Sequence, residues 1–233
     1  MVKEAVILAG GFGTRLKSIV KEVPKPMALI KDAPFLSYIL DQLYKYKFEK
    51  VILAAGYKYD VIESFFGSSY KNIRIVYSIE KEPLGTGGAI FKAAGLIDSD
   101  NYFILNGDTF FDVDLESMEK MFQKGNSGLM VALKPMVNFE RYGAVVTDNT
   151  KIVSFNEKKF CKNGLINGGI YMVNKNWLEE RFVGKVFSFE RDILENRVSK
   201  DDISYFISDT YFIDIGIPAD YIRASEELPG LFL

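Results

Sequence analysis

The chain of 233 residues contains no histidine and a single cysteine, Cys161. Without histidine it cannot form a Ser-His or Cys-His nucleophilic pair or a histidine metal site, so an enzyme built on this chain needs a nucleophile that requires no histidine base. A phosphate monoester meets that condition, because its second pKa is about 6 and it is largely a dianion at neutral pH. One cysteine excludes an intramolecular disulfide, and the absence of a histidine or a second acid around it favours an inert thiol.

Long hydrophobic runs and an excess of positive charge are also missing. No apolar stretch approaches the roughly 20 residues of a membrane span, and the apolar run before Gly10 is too short for a signal-peptide core. The formal net charge of −2 excludes a basic field that would attract nucleic acid. We therefore expect a cytoplasmic globular protein with no membrane or nucleic acid partner.

Glycines are concentrated where the apolar run at residues 6–9 ends. Gly10, Gly11 and Gly13 lead into Thr14 and Arg15, and a Pro-Lys-Pro sequence at residues 24–26 follows. Glycine lets the backbone approach a ligand closely, and successive free N–H groups form a concave anion site. The guanidinium of Arg15 and the ammonium of the lysine at position 25 suit phosphate oxygens. The loop therefore favours a polyphosphate ligand.

Other interpretations of this loop remain open. It is not a Walker A loop, because no Gly-Lys-Ser or Gly-Lys-Thr closes it. It is a poor dinucleotide fingerprint for an NAD-binding oxidoreductase, because Leu16 stands where the last glycine is needed. A plain glycine-rich turn between a strand and a helix is the structural alternative.

The first half of the chain alternates between strand and helix patterns. This alternation predicts a parallel sheet with helices on both faces, in which ligands bind beyond the carboxyl ends of the strands. The predicted strands span residues 4–9, 51–55, 73–78 and 102–105, and the predicted helices residues 35–48, 59–66 and 87–96.

The second half predicts short strands at close spacing, followed by helices. They indicate a mixed, β-rich part whose apolar strands offer a possible homodimer face. The predicted strands span residues 129–133, 143–146, 152–155 and 165–173, and the predicted helices residues 176–182, 189–197 and 218–226.

Two aspartates stand at strand ends. Asp108 closes an Asn-Gly-Asp sequence after an apolar strand, and Asp214 lies in an apolar segment before Gly216. Mg²⁺ prefers oxygen ligands and usually takes one or two carboxylates plus substrate phosphates, so the pair could form a metal site. The alternatives are an Asp bonded to its own turn and a helix-entry turn. Asp114 is interpreted as a helix N-cap.

Several polar residues suit a nucleoside and a sugar phosphate. Glu80 or Glu82 could accept the N–H donors of guanine, although such acids are more often a solvated face, and uracil also offers an N–H donor. Glu157 and Asn167 could bind sugar hydroxyls. Lys158 could bind a sugar phosphate, and Tyr142-Gly143 could lend a backbone N–H to the same pocket. A surface cluster of lysines is the alternative there.

Taken in order, these segments resemble the sugar-1-phosphate nucleotidylyltransferases over residues 2–224. The resemblance is carried by the glycine-rich loop with Pro-Lys-Pro, Pro83 to Ala89, Asn106-Gly107-Asp108, Glu157-Lys158, Asn167-Gly168-Gly169 and Asp214-Ile215-Gly216. It implies an α/β, Rossmann-like three-layer nucleotidyltransferase fold with a mixed, mainly parallel central sheet and a small β-rich sugar-binding subdomain. A single domain of residues 1–233 would comprise a nucleotide-binding part, about 1–127, and a sugar-binding part, about 128–233. Ile217 and Phe212 depart from the family pattern, but neither removes a proposed ligand.

The resemblance also implies a role for each site residue. Arg15 would contact the triphosphate and Lys25 would lie between nucleotide and sugar phosphate as the catalytic pair, while Asp108 and Asp214 would hold Mg²⁺. The expected nucleotide contacts are Leu8, Ala9, Gly10, Gly11, Gly13, Thr14, Glu80, Pro83, Gly85, Thr86 and Gly107. The expected sugar-phosphate contacts are Tyr142, Gly143, Glu157, Lys158, Asn167 and Gly168.

Within this family the sequences at residues 21–27, 34–38 and 105–114 resemble the heptose-1-phosphate guanylyltransferases. This implies GTP and D-glycero-α-D-manno-heptose 1-phosphate as substrates, and GDP-heptose for bacterial surface polysaccharides as product. A mannose-1-phosphate guanylyltransferase, a UTP- or dTTP-dependent relative, and a silent regulatory paralogue that binds nucleotide-sugar are the alternatives.

Overall fold

The computed structural model describes residues 1–11 and 23–232. Its largest element is a mixed sheet that contains ten of the fourteen described strands and has helices on both faces. The strands are β1 (Glu4–Leu8), β2 (Leu29–Ile30), β3 (Ala33–Pro34), β4 (Lys50–Ala55), β5 (Ser69–Tyr70), β6 (Ile73–Ile79), β7 (Asn101–Asn106), β8 (Thr109–Phe111), β9 (Leu129–Phe139), β10 (Gly143–Asp148), β11 (Lys151–Lys158), β12 (Cys161–Asn174), β13 (Ile203–Ile207) and β14 (Phe212–Asp214). The α-helices are α1 (Phe35–Lys45), α2 (Tyr59–Phe66), α3 (Gly85–Ala94), α4 (Leu115–Lys124), α5 (Lys175–Glu179) and α6 (Pro218–Glu227). Within these described ranges no helix is long and apolar enough to cross a membrane.

The sheet has the order β10-β11-β13-β9-β12-β7-β1-β4-β6-β5. Strands β7, β1, β4 and β6 run parallel to one another, as the alternating pattern of the first half predicts. Strand β12 is antiparallel to both of its neighbours β7 and β9, and so joins the strands of the second half to those of the first. The mixed α/β fold is thereby confirmed.

Alternating side chains of the central strand β1 belong to different cores. Ala5 and Ile7 lie in the core shared with α1, α2, α4 and α6, whereas Val6 lies in the core shared with α3 and α5. All three are completely buried. A strand covered on both faces needs such a continuous apolar sequence, and the result is the predicted three-layer arrangement.

The elements of the first half lie close to their predicted positions. Helix α2 has the predicted bounds, and the other strands and helices differ by a few residues at their ends. The predicted N-cap is also confirmed, because the side chain of Asp114 accepts a hydrogen bond of 3.1 Å from the backbone N–H of Ser117.

The second half differs more from the prediction. Strands β9 and β12 contain 11 and 14 residues and are not short. Pro135 and Gly164 discourage the assignment of long strands, yet Pro135 pairs with Leu165 inside the β9–β12 ladder. Strand β13 was not predicted, and it runs parallel to β9. Apolar side chains such as Val137 and Phe160 are exposed in this half, and a dimer face there stays a prediction.

A separate two-stranded sheet brings distant parts of the chain together. Strand β14 pairs antiparallel with β8, and Asp214 lies opposite Thr109. The backbone N–H of Ile215 donates a hydrogen bond of 3.0 Å to the carbonyl of Asp108. The two aspartates predicted from strand ends are therefore neighbours.

Gly107 allows the backbone to turn closely past the end of β1. Its N–H donates a hydrogen bond of 3.0 Å to the carbonyl of Leu8. A Cβ at this position would stand 2.4 Å from the same carbonyl oxygen. Because that oxygen belongs to the backbone of the central strand, it cannot move aside cheaply.

We predict that Gly107→Ala lowers the free energy of unfolding by about 1–3 kcal/mol, the usual cost of overpacking. Gly230→Ala is the matched control, because no atom lies within 4 Å of the Cβ that it would add. Urea denaturation of both variants measures the difference. Equal stability of the two variants would contradict the close approach at Gly107.

Candidate functional site

Two adjacent cavities open at the carboxyl ends of β1 and β7. The larger has a volume of about 600 Å³ and the smaller about 360 Å³. Asn106 and Glu190 line both cavities. The larger cavity contains most of the predicted nucleotide contacts and the smaller one most of the predicted sugar contacts, so the sequence-predicted residues converge on one composite site.

An ion pair lies at the edge of the larger cavity. Lys25 Nζ is 3.0 Å from Asp108 Oδ2, and both residues line this cavity. The lysine is held in a single helical turn, Lys25–Met27, that follows Pro24. Its side chain is only 16% exposed. A cation is thus fixed beside the carboxylate that sequence analysis assigned to a metal.

Asp214 lies in the smaller cavity and is more enclosed. Burial, and then the negative charge of Asp108, raise the pKa of Asp214, whereas the N–H of Gly216, Lys25 and Arg141 oppose that shift. The N–H of Gly216 donates a hydrogen bond of 2.7 Å to Asp214 Oδ1. Burial and a nearby like charge both raise a carboxyl pKa in this way. The two carboxylates would therefore attract a further cation.

Arg141 is a functional candidate that sequence analysis missed. Its guanidinium bonds to Asp220, lies 4.0 Å from Asp214 Oδ2 and packs over the ring of Tyr142 at 5.5 Å. It therefore provides part of the positive charge near the buried carboxylate. A lone arginine before Tyr142-Gly143 gives no local signal of this contact, because its partners lie more than 70 residues away.

Glu80 stands in the wall of the larger cavity. Its Oε2 accepts a hydrogen bond of 2.9 Å from the N–H of Leu84. Burial raises the pKa of Glu80, and the bond from Leu84 opposes that effect. A Cβ on Gly10 would be 3.0 Å from Glu80 Oε1, so glycine at this position leaves room for the carboxylate. Pro83 lines the same cavity.

The described part of the N-terminal loop divides into lining and structural residues. Leu8, Gly10 and Gly11 line the larger cavity. Ala9 is buried, and its N–H donates to the carbonyl of Ala54 at 2.8 Å. Neither Ala9 nor Gly107 is among the described residues that line the two cavities. Gly13, Thr14 and Arg15 lie outside the described residues, and their roles stay predictions.

The glycine-rich start of α3 has a partner within the chain. Gly85 and Thr86 line the larger cavity, but Gly87 and Gly88 do not. A Cβ on Gly87 would stand 2.2 Å from the ring of Phe187, and one on Gly88 2.4 Å from the carbonyl oxygen of Lys185. These two glycines therefore admit the segment that precedes residue 189.

The predicted sugar-phosphate residues line the smaller cavity, with one exception. Tyr142, Gly143, Glu157, Lys158 and Asn167 line it. Gly168 is not among its described lining residues, and it is buried where a Cβ would stand 2.4 Å from the ring of Phe111. Gly168 therefore lets β12 pack closely on β8.

A β-bulge shapes the wall at Asn167. The register between β12 and β9 shifts between Asn167 and Tyr171. Asn167 Oδ1 accepts the N–H of Gly169 at 2.9 Å, and its Nδ2 donates to Tyr171 Oη at 2.8 Å. Gly169 has φ +74°, and a Cβ there would be 2.7 Å from Asn106 Nδ2. Gly169 thus leaves room beside the bulge for the side chain of Asn106, which lines both cavities.

The donor set fits a hard divalent cation. Within residues 1–11 and 23–232 no group of three or more His, Cys, Asp or Glu side chains is placed to hold a metal. Mg²⁺ does not need such a group, because it commonly takes one or two carboxylates and completes its shell with phosphates and water. The adjacent carboxylates of Asp108 and Asp214 can serve as those ligands.

Comparison with known proteins agrees with this geometry. The nucleotidyl transferase family model matches residues 4–229. The chain is 50% identical to the D-glycero-α-D-manno-heptose 1-phosphate guanylyltransferase of Aneurinibacillus thermoaerophilus, over 97% of this chain and 98% of that protein. It is 49% identical to the enzyme of the same name from Campylobacter jejuni, over 94% of this chain and 96% of that protein.

A solved structure is similar as well. The crystal structure of HddC from Yersinia pseudotuberculosis complexed with GMP-PN superposes with a TM-score of 0.86 and 36% sequence identity, covering 97% of this chain and 99% of that one. Members of the nucleotidyl transferase family generally use a divalent metal ion. From the extent of these matches, the chain belongs to the nucleotidyl transferase family.

Proposed function

We propose that this protein transfers a guanylyl group from GTP to D-glycero-α-D-manno-heptose 1-phosphate. A sugar phosphate oxygen forms a bond to the α-phosphorus, the bond from that phosphorus to the β-phosphate bridging oxygen breaks, and GDP-heptose and pyrophosphate result. The heptose and the guanine are favoured by the two relatives that are about half identical over nearly the whole chain. Synthesis of a bacterial surface polysaccharide is the use proposed for the product.

The observation that carries the proposal is the placement of Lys25 and the two aspartates between two cavities. Lys25 and Asp108 line the larger cavity, and Asp214 lines the smaller one. A nucleotide in the first and a sugar phosphate in the second would meet at this point. Holding two anions there requires positive charge, which Lys25 provides.

The acceptor needs no general base. A sugar 1-phosphate is largely a dianion at neutral pH, and the absence of histidine is compatible with that chemistry. The contribution of the protein is then positioning and charge stabilisation. Lys25 screens the repulsion between the two substrates and stabilises charge that grows at the α-phosphate. Arg15 is proposed to contact the triphosphate.

We propose Mg²⁺ as the divalent ion, held by Asp108 and Asp214. When bound, it supplies charge stabilisation for the pyrophosphate leaving group. The two carboxylates come from β-strand ends, and Asp108 lines the larger cavity while Asp214 lines the smaller one. The raised pKa of Asp214 beside Asp108 supports a site that gains by taking up a cation.

Glu80 is proposed to select guanine. Its carboxylate lies in the wall of the larger cavity, where it is already oriented by the N–H of Leu84. Guanine presents N–H donors on its pairing edge, and a carboxylate accepts them. On the other side Glu157 and Asn167 are proposed to bind sugar hydroxyls, and Lys158 the sugar phosphate. Lys158 has no ion-pair partner among the described residues.

A substrate matrix tests the proposal. Purified protein with Mg²⁺ is given GTP, ATP, UTP, CTP or dTTP against heptose, mannose and glucose 1-phosphates, and pyrophosphate release is followed. We expect a maximum for GTP with the heptose phosphate. A maximum for another pair of substrates would support the nucleotidyl transfer reaction but contradict the proposed nucleotide or sugar. If the protein is folded and binds nucleotide but releases no pyrophosphate with any pair, a regulatory paralogue that binds nucleotide-sugar is favoured instead.

We predict that Lys25→Ala lowers kcat by on the order of a hundredfold or more, as loss of a group that stabilises transition-state charge does. Lys124→Ala is the matched control, since that lysine is exposed at the end of α4. Steady-state pyrophosphate release measures both. Near-normal turnover of Lys25→Ala would remove this lysine from the mechanism.

Asp214→Asn should raise the stability of the metal-free protein although it lowers activity. Because the folded pKa of Asp214 is raised, the folded protein binds more protons than the unfolded chain above the ordinary aspartate pKa of about 3.9. Stability therefore falls as the pH rises through that window. In metal-free buffer at neutral pH the variant should melt higher than wild type, with the difference shrinking near pH 4.

Mg²⁺ should reverse the order of stability that is expected without metal. It should raise the melting temperature of the wild type and leave Asp214→Asn nearly unchanged, while turnover of the variant falls by about a hundredfold or more. Asp148→Asn, an exposed residue at the end of β10, is the control. An equal response of Asp214→Asn and wild type to Mg²⁺ would rule out the metal assignment.

A further inference from the structure

Glu190 lies where the nucleotide and sugar cavities meet. It is the one acidic residue among the described residues that lines both cavities. It belongs to the helical segment Phe189–Glu195, which follows the stretch packed against the start of α3. The close approach at Gly87 and Gly88 therefore sets the position of this carboxylate.

Two hydroxyl groups hold one oxygen of Glu190. Thr86 Oγ1 donates to Glu190 Oε2 at 2.5 Å, and Ser188 Oγ donates to the same oxygen at 3.0 Å. Each hydroxyl also accepts a hydrogen bond from a backbone N–H. Thr86 Oγ1 accepts that of Phe189 at 2.9 Å, and Ser188 Oγ accepts that of Arg191 at 3.2 Å. Because a hydroxyl has one proton, this pattern directs both protons to Glu190.

The start of the helical segment does not need Glu190. Ser188 Oγ accepts the N–H of Arg191, and Asp192 Oδ2 accepts the N–H of Ser188 at 2.8 Å. These bonds satisfy the N–H groups of Ser188 and Arg191, and Thr86 Oγ1 accepts that of Phe189, which is the usual task of polar residues at a helix N-terminus. Glu190 instead bonds to Thr86, 104 residues away.

The second oxygen of Glu190 is available to a ligand. Glu190 Oε1 has no hydrogen-bond partner among the described residues. Tyr171 lines the smaller cavity together with Glu190, and its pKa is raised by burial and further by the charge of Glu190. Tyr171 Oη is bonded to Asn167, a proposed sugar contact.

A carboxylate at this place selects its ligand by charge. It repels phosphate groups, which are drawn to Lys25 and Lys158, and it accepts hydrogen bonds from hydroxyl groups. A bond from a hydroxyl to an ionised acceptor is stronger than one between neutral groups. The group that suits Glu190 Oε1 is therefore a hydroxyl of a bound substrate.

We propose that Glu190 binds a hydroxyl of the acceptor sugar, and that Thr86 on the nucleotide side holds it in position for this contact. The proposal rests on the proposed function, since it assumes a sugar phosphate in the smaller cavity. It assigns sugar recognition to the helical segment Phe189–Glu195 in addition to β11 and β12. A contact with the ribose of the nucleotide is the competing outcome.

The test compares GDP-heptose with GDP in direct binding to Glu190→Gln by calorimetry. Glutamine still accepts the bonds from Thr86 and Ser188, so the local structure should persist, but the ionised acceptor is lost. We expect affinity for GDP-heptose to fall by about tenfold or more and affinity for GDP to stay within about twofold. In turnover, KM for the sugar phosphate should rise while KM for GTP is unchanged.

Two further variants keep the test decisive. Glu190→Asp retains the charge on a shorter side chain and should also lose affinity for GDP-heptose alone, which serves if Glu190→Gln does not fold. Asp192→Asn, in the same segment but lining neither cavity, should bind both ligands as wild type does. Loss of GDP and GDP-heptose affinity in equal measure, or of neither, would overturn the proposal. Pyrophosphate release by the wild type is measured in parallel. If the wild type releases none, the proposed function itself has failed, and the failure does not concern Glu190 alone.

Discussion

The pairing of β8 with β14 is the constraint on which the candidate site depends. The two strands are separated by 100 residues in the chain, and their antiparallel register sets Asp214 opposite Thr109. The N–H of Ile215 then reaches the carbonyl of Asp108. Phe111 and Ile213 on these strands are almost completely buried, so hydrophobic packing holds the pair in place. Two carboxylates are thereby kept together against their own repulsion.

The repulsion between the two carboxylates favours the binding of a cation beside them. Lys25 offsets the charge of Asp108, but Arg141 bonds chiefly to Asp220 and stands 4.0 Å from Asp214. The carboxylate pair is therefore undercompensated, and burial followed by the negative charge of Asp108 raises the pKa of Asp214. A cation that binds there stabilises the folded protein by mass action. Under the proposed function, stability given up without ligand would be recovered when metal and substrate bind, a common arrangement at functional sites.

The sequence predicted those parts of the fold that depend on neighbours along the chain. The alternating elements of the first half, the Asp114 cap and the strand-end position of Asp108 each follow from local patterns. Strand β13 and the contacts of Arg141 and Glu190 could not be predicted in the same way. Their partners lie tens of residues to more than a hundred residues away, and only the closed sheet brings them together. The long strands β9 and β12 were underestimated, because proline and glycine within them are local signals against a strand that tertiary pairing overrides.

The glycines at the start of α3 illustrate how little composition alone says about a close contact. Small residues after Pro83 indicate that something approaches the backbone closely, but they do not say what. Gly87 and Gly88 admit Phe187 and the carbonyl of Lys185, so the approaching group is another part of the chain. The contact still shapes the candidate site. If those positions carried a side chain, the segment that bears Glu190 would have to move away from Thr86. Close packing between α3 and this segment thus fixes the boundary between the two cavities and, with it, the place where the two substrates would meet.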